Sequence, residues 1–274
     1  MIDQRSLVLI VRSITAPIPR IKGLGILFAL VAKMFRSHDV TVEVPVLGNR
    51  MRLTSSDLIG NMLIFTPNYY DHAERSWLRK IIKPGDYVID VGANVGAYTL
   101  FLARLVTSTG CVIAIEAEQR NAALLNENIK LNGLDWVTVK QIGVSDKEEI
   151  LSLLLNSTGN AGGHSFFEQS DTAAPPTQQV TCKPLLDIIG PKTPKFMKLD
   201  IEGFEHRVLA RYFSDAPRQS WPEYILLENV PERREADAVA LVTSTGYAKI
   251  EQQDYNVLLK KNAMVTRSFH DSIV

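Results

Sequence analysis

The sequence predicts an α/β fold, a mostly parallel sheet with helices on both faces and an antiparallel hairpin at one edge. Three observations carry that reading. From Tyr87 to Val144, short apolar runs alternate with segments of helical periodicity, the pattern of parallel strands joined by crossover helices. The first run, Tyr87 to Asp90, ends in an acid and turns through two glycines, Asp90-Val91-Gly92-Ala93-Asn94-Val95-Gly96, into a helix. The second, Cys111 to Ile115, ends in Glu116, twenty positions after Gly96. An acid closing the second strand of a nucleotide-binding βαβ unit can take two ribose hydroxyls.

The elements follow in order. Residues 1–36 read as an accessory helical segment. Its apolar runs, Leu7 to Val11 and Leu24 to Ala32, are too short for a bilayer, which needs about 20 residues. No small-residue cleavage pattern follows them, and Pro17 and Pro19 interrupt the segment, so a signal peptide is not expected. Val40 to Leu47 and Arg50 to Leu53 alternate around Gly48-Asn49, which predicts a β-hairpin, expected to act as a flap. Asp71 to Ile82 carries Ala73, Trp77, Leu78 and Ile81 at helical spacing, and Lys83-Pro84-Gly85-Asp86 stops it. The chain therefore divides into residues 1–36, a flanking hairpin and helix at 37–82, and a cofactor-binding domain at 83–274.

Within that domain, strands Tyr87 to Asp90, Cys111 to Glu116 and Val137 to Val144 alternate with helices Gly96 to Thr107 and Gln119 to Leu131. Glu149 to Leu155 and Thr177 to Lys183 are two more strands. The polar stretch Asn156 to Pro176 joins them, and a connection of that length points to function or disorder. Lys195 to Leu199 is a fourth core strand, followed by helix Phe204 to Phe213; Tyr224 to Leu227 is a fifth. Helix Glu232 to Ser244 and strands around Tyr247 to Glu251 and Tyr255 to Lys260 complete the edge.

Composition narrows the function. Lys plus Arg equals Asp plus Glu, 30 each, so the net charge gives no footprint for nucleic acid. Two cysteines, Cys111 and Cys182, suit incidental thiols in a reducing compartment, and the expected location is cytoplasmic. Weak peripheral membrane contact through the Leu24 to Phe35 helix is left open.

The chemistry lies at strand ends. Glycine lets the backbone turn tightly and a ligand come close, while the new helix offers free N–H groups. A dinucleotide loop wants a third glycine and a pyrophosphate at that helix end. Here the third glycine is missing and Asp90 stands two residues before the first. A carboxylate there repels phosphate and suits a cationic, phosphate-free ligand, for which S-adenosyl-L-methionine is the candidate. Asp90, Glu116, Asp146, Asp200 and Glu228 all fall at or just past strand ends, with Glu202 two residues beyond Asp200. Asp146 reads as a Ser-Asp-Lys turn. Asp200 and Glu202 border the cofactor crevice, where an acceptor hydroxyl must be held. Methyl transfer is an in-line displacement at an activated carbon, so the protein supplies alignment and, for an alcohol, a base. Asp200 or a histidine can serve; His164 and His206 are the candidates. Asp200, Glu202 and Glu228 would also offer a hard cation oxygen ligands, but no metal is assigned.

Lys83-Pro84-Gly85-Asp86, the Asp90 to Gly96 loop, Gly143-Val144-Ser145-Asp146 and Lys198-Leu199-Asp200-Ile201-Glu202-Gly203-Phe204-Glu205 together resemble the FkbM family of S-adenosylmethionine-dependent methyltransferases, over roughly residues 40–260. The resemblance implies a seven-stranded Rossmann-like class I fold and methylation, most often of a hydroxyl on a sugar, glycan or secondary metabolite. It implies that Asp90, Gly92, Ala93, Asn94 and Gly96 line the methionine end, Glu116 the ribose and the backbone near Gly143 the adenine. Asp200 lies at the border of cofactor and acceptor, and Asp200, Glu202 and His164 are the catalytic candidates. The Gly162-Gly163-His164-Ser165 loop is similar to one that faces the acceptor. Residues 1–36 have no counterpart. A base-modifying N-methyltransferase would carry Asn/Asp-Pro-Pro-aromatic where this chain has Asp-Ile-Glu-Gly. The alternatives are an NAD-type dinucleotide-dependent oxidoreductase and an inactive methyltransferase-fold binding module.

Overall fold

The computed structural model describes residues 3–21, 23–154, 177–231 and 236–263, with backbone alone for 25–29. Two helices come first, α1 (Gln4–Thr15) and α2 (Leu24–Met34), then a hairpin of β1 (Thr41–Val46) and β2 (Asn49–Thr54). Helices α3 (Leu58–Phe65) and α4 (His72–Ile81) lead into β3 (Tyr87–Val91), α5 (Ala97–Val106), β4 (Cys111–Glu116), α6 (Gln119–Leu131) and β5 (Val137–Gln141). There follow β6 (Gly143–Ser145), β7 (Glu149–Leu154), β8 (Thr177–Pro184), α7 (Leu185–Ile189), β9 (Phe196–Leu199), α8 (Glu205–Asp215), β10 (Tyr224–Glu228), α9 (Ala238–Ser244), β11 (Tyr247–Gln253) and β12 (Asn256–Lys261).

The main sheet has seven strands in the order β11-β12-β10-β9-β3-β4-β5. β10, β9, β3, β4 and β5 run parallel, and β12 and β11 are antiparallel at the edge. This is the expected Rossmann-like α/β architecture. Period-two alternation sends Val88, Val112, Phe196 and Leu226 to one face, and Ile89, Ile115, Met197 and Ile225 to the other. Both faces are covered, which is why these strands read as continuous apolar runs rather than alternating ones.

Three local readings change. The run Val137 to Val144 is not one strand: the chain turns at Ile142, whose N–H donates to the Lys140 carbonyl (3.1 Å). β6 then leaves the main sheet to pair with β8, and with β7 they form a separate three-stranded sheet. The helix expected from Glu232 begins among the described residues at Ala238, where the Asp237 carboxylate accepts from the Ala240 N–H. The hairpin is not a flap. Its inward residues Val42, Val44, Val46, Met51 and Leu53 are buried in the same core as Val88 and Leu100.

Asn128 of α6, fully buried, joins hairpin to domain. Its Oδ1 accepts from the Arg52 N–H (2.7 Å), and its Nδ2 donates to the carbonyls of Val95 (2.9 Å) and Arg52 (3.3 Å). Asn128→Ala strands three backbone partners, so a stability loss of about 2–3 kcal/mol is expected in urea unfolding. A loss below about 0.5 kcal/mol would mean that the hairpin is held by its apolar face alone.

Candidate cofactor and acceptor site

The first crossover from β3 goes through α5 to β4 on one side, while β9 pairs with β3 on the other. The sheet order reverses there, and in open α/β sheets ligands bind beyond the strand ends at that point. A cavity opens there, lined by the Asp90 to Asn94 loop, Glu116, Gly143, Lys198, Asp200, Glu202 and Glu228, with Leu58, Ile59, Tyr70 and Tyr98 also on its wall.

The loop is shaped by hydrogen bonds that the sequence dictates. The N–H groups of Gly92 and Ala93 both donate to the Ile115 carbonyl, at 3.0 Å each. Gly92 has φ +77°, and a Cβ there would lie 1.8 Å from the Asp200 carbonyl oxygen. Gly96 begins α5 at φ +96°, and a Cβ there would meet Leu125 and Leu100 at 2.7 and 2.9 Å. Gly96 therefore seats α5 against α6, and it is not among the residues that line the cavity.

Asp90 is fully buried. Its Oδ2 accepts from the Thr99 hydroxyl (2.6 Å), while its Oδ1 is unpartnered among the described residues. Burial raises its pKa against the pull of Lys198 and Thr99. An orphaned carboxylate oxygen on a cavity wall fits a cationic group of a ligand, because a buried polar atom left unmatched is costly.

Glu116 has a second task that its position in the sequence does not reveal. Its Oε2 accepts from the Asn94 N–H (2.7 Å) and its Oε1 from the Glu118 N–H (2.9 Å). It thereby fixes the loop, with Asn94 held at φ +50°. Burial pushes its pKa up to about 7, although the two N–H groups oppose the shift.

Another part of the cavity wall is a carboxylate group around one cation. Asp200, Glu202 and Glu228, all half-buried, offer oxygens lying within 4.8 Å of one another. Burial raises Glu228 to about 8, and the charges of Asp200 and Glu202 add to it. Lys198, which opens the Lys198 to Glu205 motif but to which the sequence assigns no role, donates from Nζ to Asp200 Oδ2 (2.9 Å) and stands 5.0 Å from the Tyr98 ring centroid. Burial would pull its pKa down, yet Asp200 and Asp90 hold it above the usual lysine value. The same carboxylates would give a hard cation oxygen ligands, with this ammonium already among them.

Tyr70 and Tyr98 pack edge to face at 6.2 Å. Asp71, beside Tyr98, is raised to about 6 by burial and by Glu74. The only sequence signal for this wall is apolar spacing, which does not separate a lining residue from core. His206 lies half-buried on α8, outside the lining residues. His164 and the glycine loop around it lie outside the described residues. Asp146 accepts from Arg207 Nε and Nη2 at 3.0 and 2.6 Å and ties β6 to α8, in keeping with a structural turn.

Glu116 and Glu228 carry raised pKa values in the folded chain. A group of that kind stabilises most below its unfolded value and loses that stability as pH rises through the folded one. Unliganded protein is therefore expected to melt at lower temperature as pH goes from about 5 to about 8, and Glu228→Gln to flatten the upper part of that slope. A melting temperature that rises over this range would contradict both shifts.

This strand order, the glycine loop and an acid closing the next strand define a nucleotide-cofactor enzyme of the α/β class. The chain belongs to the FkbM methyltransferase family: the family model described as the methyltransferase FkbM domain matches residues 90–237, just over half of the chain. The cofactor of this class is S-adenosyl-L-methionine, so the dinucleotide reading is set aside. Similar solved structures include a SAM-dependent O-methyltransferase from Thermotoga maritima, 14% identical over 70% of this chain and 65% of that one, TM-score 0.44. Another is TYW2 of M. jannaschii in complex with AdoMet, 13% identical over 82% and 88%, TM-score 0.44. A third is the precorrin-6y C5,15-methyltransferase of Geobacter metallireducens, 12% identical over 70% and 90%, TM-score 0.42.

Proposed function

We propose that the protein is an O-methyltransferase that transfers the methyl group of S-adenosyl-L-methionine to a hydroxyl of a sugar, glycan or small secondary metabolite, in the cytoplasm. The observation that carries the reading is the pairing, in one cavity, of an orphaned buried carboxylate with a carboxylate cluster. Asp90 Oδ1 has no partner among the described residues, and Asp200, Glu202 and Glu228 line the same cavity with oxygens within 4.8 Å of one another.

When bound, the cofactor supplies a methyl carbon activated by its sulfonium. Asp90 would take the amino group and Glu116 the ribose hydroxyls, while Gly92, Ala93 and Asn94 would let the backbone come close and the backbone near Gly143 would meet the adenine. With the cofactor in place, Asp200 would accept the proton of the acceptor hydroxyl and so make its oxygen nucleophilic. Glu202 and Glu228 keep the acceptor oriented, and Lys198 holds the Asp200 carboxylate in place (2.9 Å). His164 is the remaining base candidate.

The test is titration calorimetry of the chain with S-adenosylhomocysteine, with and without Mg²⁺, followed by a labelled-methyl screen of hydroxylated acceptors. Micromolar binding independent of metal supports the reading; no binding in either condition turns it towards an inactive module. In the same assay, Glu116→Ala is expected to weaken binding by about 1–3 kcal/mol, the range for hydrogen bonds to a charged group. Unchanged affinity would remove Glu116 from the ribose.

A further inference from the structure

The N-terminal helices carry more apolar surface outward than their packing requires. α1 buries Val8, Arg12 and Thr15 on one face, with the Arg12 guanidinium donating to the carbonyls of Ile64 and Pro45. Leu7, Ile10 and Ile14, spaced i, i+3, i+7, share a different face, and all three are exposed, Ile14 by 65%. On α2, Ala32 and Phe35 are buried, while Leu30 and Met34, one turn apart, are 58% and 72% exposed. Of the exposed large apolar residues, seven fall between Leu7 and Met34, and three in the rest of the described chain. Single exposed apolar residues need no explanation, but a concentration of this kind does.

Charge says what would cover it. The chain is neutral overall, yet six of its 30 basic residues and one of its 30 acids fall in the first 38 positions. That acid, Asp3, is engaged by the Ser6 N–H and hydroxyl. Arg5, Arg20 and Lys33 are exposed, and among the described residues none pairs with a carboxylate. Lys33 adjoins the exposed Met34 on α2, and exposed apolar residues on a segment with an excess of cations that no carboxylate holds match an anionic lipid surface, where the side chains enter the headgroup boundary and the cations meet the phosphates. No helix among the described residues is long and apolar enough to span a membrane.

We propose that α1 and α2 form a docking surface for an anionic lipid bilayer, holding the enzyme against the membrane without crossing it. The surface is independent of the catalytic reading, since none of its residues lines the cavity.

Co-sedimentation of the full chain with sucrose-loaded vesicles tests it, using phosphatidylcholine alone and a 3:1 mixture of phosphatidylcholine and phosphatidylglycerol in roughly physiological salt. Binding to the mixed vesicles is expected, at least about tenfold weaker to phosphatidylcholine alone and reduced in high salt. I10E/I14E is expected to lose at least about tenfold in binding, and K33E at least about fivefold, while both retain wild-type melting and S-adenosylhomocysteine affinity. The proposal is overturned if wild type ignores the mixed vesicles, if it binds both compositions equally, or if the variants bind as wild type does. It is also overturned if wild type is a dimer in light scattering and I10E/I14E a monomer, because a second copy then covers the face.

Discussion

Asp200→Asn is expected to lower turnover by about 10²- to 10⁴-fold, the range for losing a positioned general base, while S-adenosylhomocysteine affinity changes by less than about threefold. The substitution keeps the shape and removes the charge, so the Lys198 ammonium loses its 2.9 Å partner but keeps Asp90 nearby. The pH profile separates a chemical role from a structural one. Asp200 is one of the two charges that raise Glu228 beyond the effect of burial. Neutralising it lets Glu228 ionise more easily, and the Glu228-dependent limb of the residual activity should move to lower pH. If turnover survives and cofactor binding collapses instead, Asp200 belongs to the cofactor half of the cavity, on whose border its position at the end of β9 also sets it.

Legibility in the sequence follows the range of the interactions. Helix α6 is legible to its observed ends, Gln119 to Leu131, because local signals set both: Glu118 caps its first turn and Asn132-Gly133 ends it. Helix α3 is not. Its eight residues, Leu58 to Phe65, are almost all apolar and show no stripe, and only the capping Asp57 marks its start. With it the wall of the site formed by Leu58 and Ile59 stays hidden. Asp90, Glu116 and Asp200 are legible because each ends an apolar run, and a strand end is a position in a parallel sheet. Lys198 is not, since a lysine within a strand reads as an ordinary interruption until Asp90, Asp200 and Tyr98 converge on it from other elements. The second task of Glu116, holding Asn94 at positive φ, depends on a turn geometry that no spacing encodes.

Gly92→Ala is expected to be severely damaging: no other glycine whose surroundings are described would bring a Cβ so close to a neighbouring atom. The new Cβ would lie 1.8 Å from the Asp200 carbonyl oxygen and 2.9 Å from its carbon, well inside any contact distance, and the φ of +77° is unfavourable for a side chain on its own. Neither partner can withdraw. The Gly92 N–H is bound to Ile115 on β4, and the Asp200 N–H is bound to the Val91 carbonyl on β3 (3.1 Å). Relief would require separating β3 from β9 at the point where the cofactor crevice opens. A loss above about 4 kcal/mol is expected, seen as a fall of roughly 10 °C or more in melting temperature or as insoluble protein. Gly133→Ala supplies the control: its φ is +60° and nothing lies within 4 Å of where a Cβ would stand, so it carries the backbone cost alone, about 1 kcal/mol. Equal shifts for the two variants would show that left-handed backbone, not the approach of the two strand ends, is what requires Gly92. A larger shift at Gly92, with S-adenosylhomocysteine binding lost in whatever protein remains folded, would tie the glycine to the same strand-end contact that sets Asp200 beside the cofactor.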